Sequence, residues 1–233
     1  MNRMEELTKT LQQKANQEKA RIYQRFFKTG KGEYGEGDVF LGLTVPETRA
    51  IAKQFSHISL NEIKQHLNSK FHEERLAALL ILVNNYQKTK DEEIVKFYLN
   101  NTKLVNNWDL VDLTADKIIG SNLLDKDKSI LYKLVESNNL WERRIAIIST
   151  FAFIKNNQFE DALNISKTLL KDKHDLIHKA VGWMLREVGK RNQETLENFL
   201  KQHYKLMPRT MLRYAIEKFP EALRKMYLKG NIK

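Results

Sequence analysis

Cysteine is absent from the 233 residues. Its absence excludes a disulfide framework, a thiolate nucleophile and a Cys-ligated zinc or iron–sulfur site, and it fits a reducing cytoplasm. Proline is nearly as scarce, standing only at positions 46, 208 and 220. Five of the nine glycines crowd between positions 30 and 42. Backbone breakers are therefore concentrated in residues 28–43, KTGKGEYGEGDVFLGL. That segment reads as a loop or short hairpin, because Gly permits the backbone angles of tight turns. It lacks the GK[ST] ending and the preceding strand of a Walker loop, so nucleotide binding is unsupported. No run approaches the roughly 18 uninterrupted apolar residues of a membrane span. The stretch MNRMEELTKTLQQKANQEKARIYQRFF is charged throughout, unlike a signal peptide. These absences lead us to expect a soluble, cytoplasmic protein with no membrane partner.

What the sequence does have is positive charge. Lys and Arg number 40 against 29 Asp and Glu, a formal net charge of +11 and a pI of about 9.6. An excess of that size favours a polyanionic partner, with nucleic acid foremost. Hydrophobic residues make up 42% of the chain, enough for a continuous core.

Apolar spacing is close to 3.6 residues outside the Gly-rich segment. Leu76, Leu79, Leu80 and Val83 follow the i, i+3, i+4, i+7 template, and Ile145, Ile148 and Phe151 do likewise. Ser59 with Glu62 forms a capping box ahead of IKQHL. Pro46, after Thr44, sits in an opening turn, and Pro208 is placed to open the last helical segment. The expectation is about a dozen helices, most of 10–18 residues.

The helices also repeat. ERLAALLIL, RRIAIISTF and HKAVGWMLR each carry a basic residue ahead of a small-and-branched apolar run, with Arg75, Arg144 and Lys179 as its members. The later spacing is about 35 residues and the earlier one about twice that, so a missing member belongs near position 110. Two-helix solenoid units have this period. The fold expected is all-α, a HEAT-like repeat α-solenoid forming a single domain over residues 1–233. Equivalent helices of such a solenoid line one concave face, and a concave basic face can follow a duplex.

Trp108, Trp141 and Trp183 all lie in these repeat segments. A helical Trp is ordinarily a core residue. Trp141 opens its helix and is read as core. Trp183 shares the register of Leu79 and Ile148, which favours core, yet one residue of slippage brings it to the concave face. Trp108 and Asp112 stand at i, i+4 and share a helix face. An aromatic wall beside a carboxylate can hold a planar cationic group by cation–π and Coulomb attraction together. Asp109 is expected to be exposed near the helix start, where a carboxylate complements the dipole, and Asp116 to be solvated surface. His174 and His178 have the i, i+4 spacing of a metal pair but no Glu after the first His and no third ligand, so no metal is expected. Basic residues gather toward the C-terminal half: Arg143, Arg144, Lys179, Arg186, Lys190, Arg191, Arg209, Arg213, Arg224 and Lys225. A subset contacting phosphate is the functional reading, and the rest are helix surface.

NNWDLVD, NNLWERRIAI and KAVGWMLREVGK, preceded by VFLGLTVPETRAIAK, resemble in order the motifs of the AlkD-type alkylpurine DNA glycosylases. The likeness spans about residues 20 to 218. It implies that Asp112 is the catalytic carboxylate, Trp108 and Trp183 are aromatic walls of the lesion site, and Arg144 contacts phosphate beside it. Tyr23 resembles the family's Tyr in the first helical unit, and Arg186 and Arg49 are implied as further backbone contacts. The family removes purines alkylated at ring nitrogen 3 or 7, without metal or cofactor, holding the lesion in the duplex rather than in a pocket. It further implies a bacterial, nucleoid-associated monomer acting on double-stranded DNA. The chain departs from the pattern at Asn107, where AlkD has the first of two adjacent tryptophans, and in the GKGEYGEGD insertion. AlkF- and AlkG-type relatives carry a protruding hairpin and bind branched DNA without evident glycosylase activity. The insertion, with Lys31 and Tyr34 near its tip, looks similar, so a non-catalytic, structure-specific DNA-binding protein stands as the alternative.

Overall fold

The computed structural model describes residues 3–232, which divide at Thr114 into two compact units. Both units are helical, and no strand occurs among the described residues, the one bridge being the isolated parallel pair Val39–Phe71. The first unit holds α1 (Arg3–Gln13), α2 (Gln17–Phe26), α3 (Val45–Ala52), α4 (Leu60–Leu67), α5 (His72–Thr89), α6 (Glu92–Asn100) and α7 (Trp108–Asp112). The second opens on a π-helical turn, Asp116–Gly120. It continues through α8 (Ser129–Val135), α9 (Leu140–Lys155), α10 (Glu160–Thr168), α11 (Asp175–Arg191), α12 (Gln193–His203), α13 (Arg209–Ala215) and α14 (Glu221–Lys229). Most of these helices are shorter than expected, down to five residues in α7. No described helix is long and apolar enough to cross a membrane.

Local chemistry sets the starts. Thr44 accepts from the Glu47 amide while Glu47 reaches back to the Thr44 amide, a capping box with Pro46 in the first turn of α3. Ser59 and Glu62 do the same for α4. Pro208 precedes α13 rather than the final helix, which follows Pro220.

Each unit is organised on one helix that is apolar nearly all round. In α5 every residue from His72 to Val83 is buried, and in α9 every residue from Arg144 to Thr150. Such helices lie in the middle of a helical layer, packed on several sides. α5 meets α1, α3, α4 and α7, and α9 meets the π-helical turn, α8, α10 and α11. Close approach is needed at Gly182, where a Cβ would sit 2.5 Å from both Met211 O and Tyr214 Cβ, so α11 and α13 touch backbone to backbone.

A repeated hydrogen-bond motif gives the repeat its register. Arg75 Nη1 donates to Ser69 O at 2.9 Å, Arg143 Nη1 to Ser137 O at 2.9 Å, and His178 Nε2 to Asp172 O at 2.6 Å. In each case the acceptor residue also caps the amide two positions on: Ser69 Oγ takes Phe71 N (3.0 Å), Ser137 Oγ takes Asn139 N (3.0 Å) and Asp172 Oδ1 takes His174 N (2.8 Å). The equivalent donors are thus Arg75, Arg143 and His178, one residue before the expected Arg144 and Lys179. A hydrogen bond to the carbonyl of the capping residue, not net charge, defines the position. Midway between 75 and 143 lies Asp109.

Candidate nucleic-acid interface

Asp109 belongs to the most elaborate polar cluster in the first unit. Rather than capping in solvent it is 5% exposed, and its Oδ2 lies 2.8 Å from His72 Nε2. The other ring nitrogen, Nδ1, lies 3.3 Å from Asp38 Oδ2. Asp38 also accepts from Arg75 Nη2 at 2.6 Å and from Asn107 Nδ2 at 3.1 Å. Burial works against a charge on His72, but the charge and hydrogen bond of Asp109, with the hydrogen bond of Asp38, raise its pKa to about 9. His72 is an imidazolium donating from both nitrogens. Burial would raise the Asp38 pKa, yet the hydrogen bond from His72 and the charge of Arg75 hold it below the ordinary carboxylate value. Two buried cations and two buried carboxylates neutralise one another, the condition under which such charges persist in a core.

Asn107 explains the departure from the paired tryptophans. It is fully buried, its Oδ1 caps Trp108 N at 2.8 Å, and its Nδ2 holds Asp38. The start of α7 is thereby tied to the Gly-rich segment. That segment is no hairpin: residues 27–38 run through successive turns, with left-handed backbone at Gly32 and Gly37. Gly35 packs against the carbonyls of Phe27 and Lys28, and Asp38 is buried. Of the two expected forms the segment takes the loop, with its turns packed on the end of α2. The next stretch is held by Glu73, buried on α5, whose carboxylate accepts from the amides of Leu41, Gly42 and Leu43 at 2.8, 2.8 and 3.2 Å.

Over this charged floor stands a pile of rings. Phe40 stacks on His72 (4.6 Å between centroids, 24°), Phe27 on Phe40 (4.8 Å, 28°) and Trp108 on Phe27 (5.2 Å, 9°). The imidazolium at the base adds cation–π attraction to the stacking. Tyr23 meets Phe40 edge-on at 5.9 Å, and Phe26 meets Trp108 edge-on at 6.0 Å. These rings, with Leu43, Val45 and Leu76, line a recess of about 200 Å³. Burial first, then the charges of Glu73 and Glu47, hold the Tyr23 phenol above its ordinary pKa. Trp108 is half-buried, and Asp112, at the other end of the same short helix, is half-buried too. Of the expected first-unit residues, Trp108 and Tyr23 line the recess. Arg49 is half-buried on α3, with no carboxylate partner among the described residues.

The second unit holds the remaining expected residues. Trp183 is half-buried on α11 and meets Phe151 of α9 at 5.7 Å and 52°. Lys155 Nζ lies 4.0 Å above the Phe151 ring and 2.8 Å from Asp116 Oδ2. Asp116 is therefore buried and paired, not solvated. Trp141 is buried as expected. Arg144 is 4% exposed and donates from Nη1 to Leu176 O. Arg186 is ion-paired with Glu217. Much of the C-terminal basic cluster is ion-paired too: Arg143 with Asp172, Lys179 with Asp175, Lys190 and Arg191 sharing Glu187, and Arg224 and Lys225 sharing Glu221. His174 accepts from Leu176 N and His178 is committed to Asp172 O, so neither imidazole is arranged as a ligand pair.

Sequence reasoning did not single out Asp38, His72, Phe26, Phe27 or Phe40, and it misplaced Asp109. Phe40 lies within the FLG run whose resemblance was noted. The others carry no motif of their own, since what assembles them is Trp108, His72 and Asn107, each more than about 30 residues away in sequence.

The DNA alkylation repair enzyme family matches the chain over residues 7–219. Among solved structures, the chain is similar to a protein described as a predicted DNA alkylation repair enzyme from Enterococcus faecalis. The two share 22% identity at a TM-score of 0.70, covering 89% of this chain and 97% of that one. It is similar also to AlkD2 from Streptococcus mutans, at 20% identity and a TM-score of 0.59, covering 88% and 98%. At these identities the likeness shows the fold, an all-helical repeat solenoid. No curated protein matches the chain in sequence.

Proposed function

The chain belongs to the DNA alkylation repair enzyme family, and on that premise we propose that it is a DNA glycosylase releasing purines alkylated at ring nitrogen 3 or 7. The observation that carries this reading is α7 itself. It is a single helical turn with an indole at one end and a carboxylate at the other, anchored from beneath by Asn107 and Asp109. An alkylated purine bears a formal positive charge, and the half-buried face of Trp108 beside Asp112 suits a planar cation.

In the reaction, the C1′–N bond breaks and its electron pair leaves with the purine, which departs neutral. Positive charge passes to an oxocarbenium-like deoxyribose, which the Asp112 carboxylate stabilises electrostatically. Water adds to C1′ and loses a proton to Asp112 or solvent, leaving a free base and an abasic site. The balance requires water alone. Tyr23 would join Trp108 as an aromatic contact in the first unit, and Trp183 with Phe151 would supply one in the second. Arg186 and Arg49 would be phosphate contacts, Arg186 exchanging Glu217 for phosphate, whereas the expected contact at Arg144 is corrected: its guanidinium is buried against Leu176 O and ties α9 to the start of α11.

Base release from methylated DNA, measured chromatographically, tests the reading. Wild type should release 3-methyladenine or 7-methylguanine above the spontaneous rate, and Asp112→Asn should lower that release by about 100-fold or more. Wild-type release no faster than the spontaneous rate would refute it.

A further inference from the structure

One helix face extends beyond the recess described above and shares only Phe26 with it. No residue of α2 is buried. Ile22 and Phe26, at i, i+4, are 58% and 61% exposed, among the most exposed large apolar residues of the protein. They line an open groove of about 530 Å³ with Glu18, Arg21 and Arg25. Arg21 and Arg25, also at i, i+4, are exposed and have no carboxylate partner among the described residues. Most cations of the second unit's C-terminal basic cluster stand in ion pairs with neighbouring carboxylates, whereas these two stand in none among the described residues.

We propose that α2 is a stacking platform for an unpaired nucleobase, with Phe26 taking the base, Ile22 the sugar, and Arg21 and Arg25 the flanking phosphates. This rests on the reading of the protein as a DNA glycosylase and deepens it, adding the class of strand it grips beside the lesion. Three arguments support it. An exposed phenyl face costs solvation unless something covers it, and every base has a π-face that can do so without sequence preference. Four residues of helix span about 6 Å at a 1.5 Å rise, the scale of consecutive phosphates along one strand. Guanidinium groups also match phosphate geometry in a bidentate way. The platform is continuous with the aromatic recess, since Phe26 touches both Trp108 and Phe27, at 6.0 and 5.2 Å between centroids. A protein partner for this face would need to be acidic as well as apolar, while a single strand of DNA has both properties already.

The test compares a fully paired duplex with the same duplex carrying one unpaired 2-aminopurine, by fluorescence anisotropy and by 2-aminopurine quenching. Wild type should bind the bulged duplex about 10-fold more tightly and quench the probe. Phe26→Ala should bring the affinity ratio close to one and abolish quenching, and Phe26→Trp should restore both. Arg21→Gln with Arg25→Gln should reduce the salt dependence of binding. Because Phe26 is exposed, circular dichroism of each variant should match wild type. Equal wild-type affinity for the two duplexes, or a ratio unchanged in Phe26→Ala, overturns the platform while the glycosylase reading stands on base release. Absence of binding to either duplex overturns both. Concentration-dependent dimerisation that Phe26→Ala abolishes would assign the face to a second copy of the chain and overturn the proposal.

Discussion

Trp108 and Trp183 are both half-buried tryptophans in repeat-register helices, yet their surroundings are built differently. Trp108 tops a stack of four rings whose lowest member, His72, belongs to a buried, ion-paired charge cluster. Trp183 makes one tilted ring contact among the described residues, with Phe151, in a unit where many surface cations pair with neighbouring carboxylates. The contrast separates a pre-organised site from an adaptable one. Residues held by several partners keep their geometry when a ligand arrives, whereas the ion pairs of the second unit can be exchanged for phosphate at small cost.

The charge cluster offers the most severe way to break the contrast. Asp38→Ala leaves the buried Arg75 guanidinium without a carboxylate and His72 with Asp109 alone, and should cost about 3–5 kcal/mol of stability in urea unfolding. A loss below 1 kcal/mol would mean that the cluster is not the foundation of α7. pH probes the same point. The folded pKa of His72 is about 9, above its unfolded value near 6.5. Its stabilisation is therefore complete below about pH 6.5 and is lost as pH rises through 9. The full span is about 3 kcal/mol by linkage. Urea midpoints of wild type should fall between pH 6 and pH 10 by more than those of His72→Gln; parallel curves would contradict the charged imidazole.

The second unit should respond through packing instead. Gly182→Ala forces a methyl against Met211 O and Tyr214 Cβ, and should destabilise by about 1–3 kcal/mol. A thermal melt showing no change would mean that α11 and α13 can part freely. The smallest effect is expected at the surface. Arg186→Gln breaks a part-exposed pair with Glu217 and should alter stability by about 1 kcal/mol or less, although it should weaken DNA affinity if Arg186 turns to phosphate.

Local rules carried the sequence reading far. The capping boxes at Thr44 and Ser59, the helical class, the burial of Trp141 and the shared short helix of Trp108 and Asp112 all follow from spacings of three or four residues. What those spacings miss is partnership across the chain. Asp109 looks like a solvent-facing first-turn acid until His72 and Asp38 close over it. Asp116 looks solvated until Lys155 reaches it from α9. The repeat was visible as a period but slipped by one residue, because adjacent basic residues, Arg143 and Arg144, satisfy the same composition. Only the carbonyl of Ser137 distinguishes them.

The proposed grip on the lesion lies at α7, where the ring stack and charge cluster are pre-organised. Single-turnover release of alkylated base by Trp108→Ala and by Trp183→Ala tests this most directly. Loss of Trp108 should slow release by about 30-fold, the worth of a desolvated cation–π contact, and by several times more than loss of Trp183. Equal slowing, or a larger effect at Trp183, would contradict it.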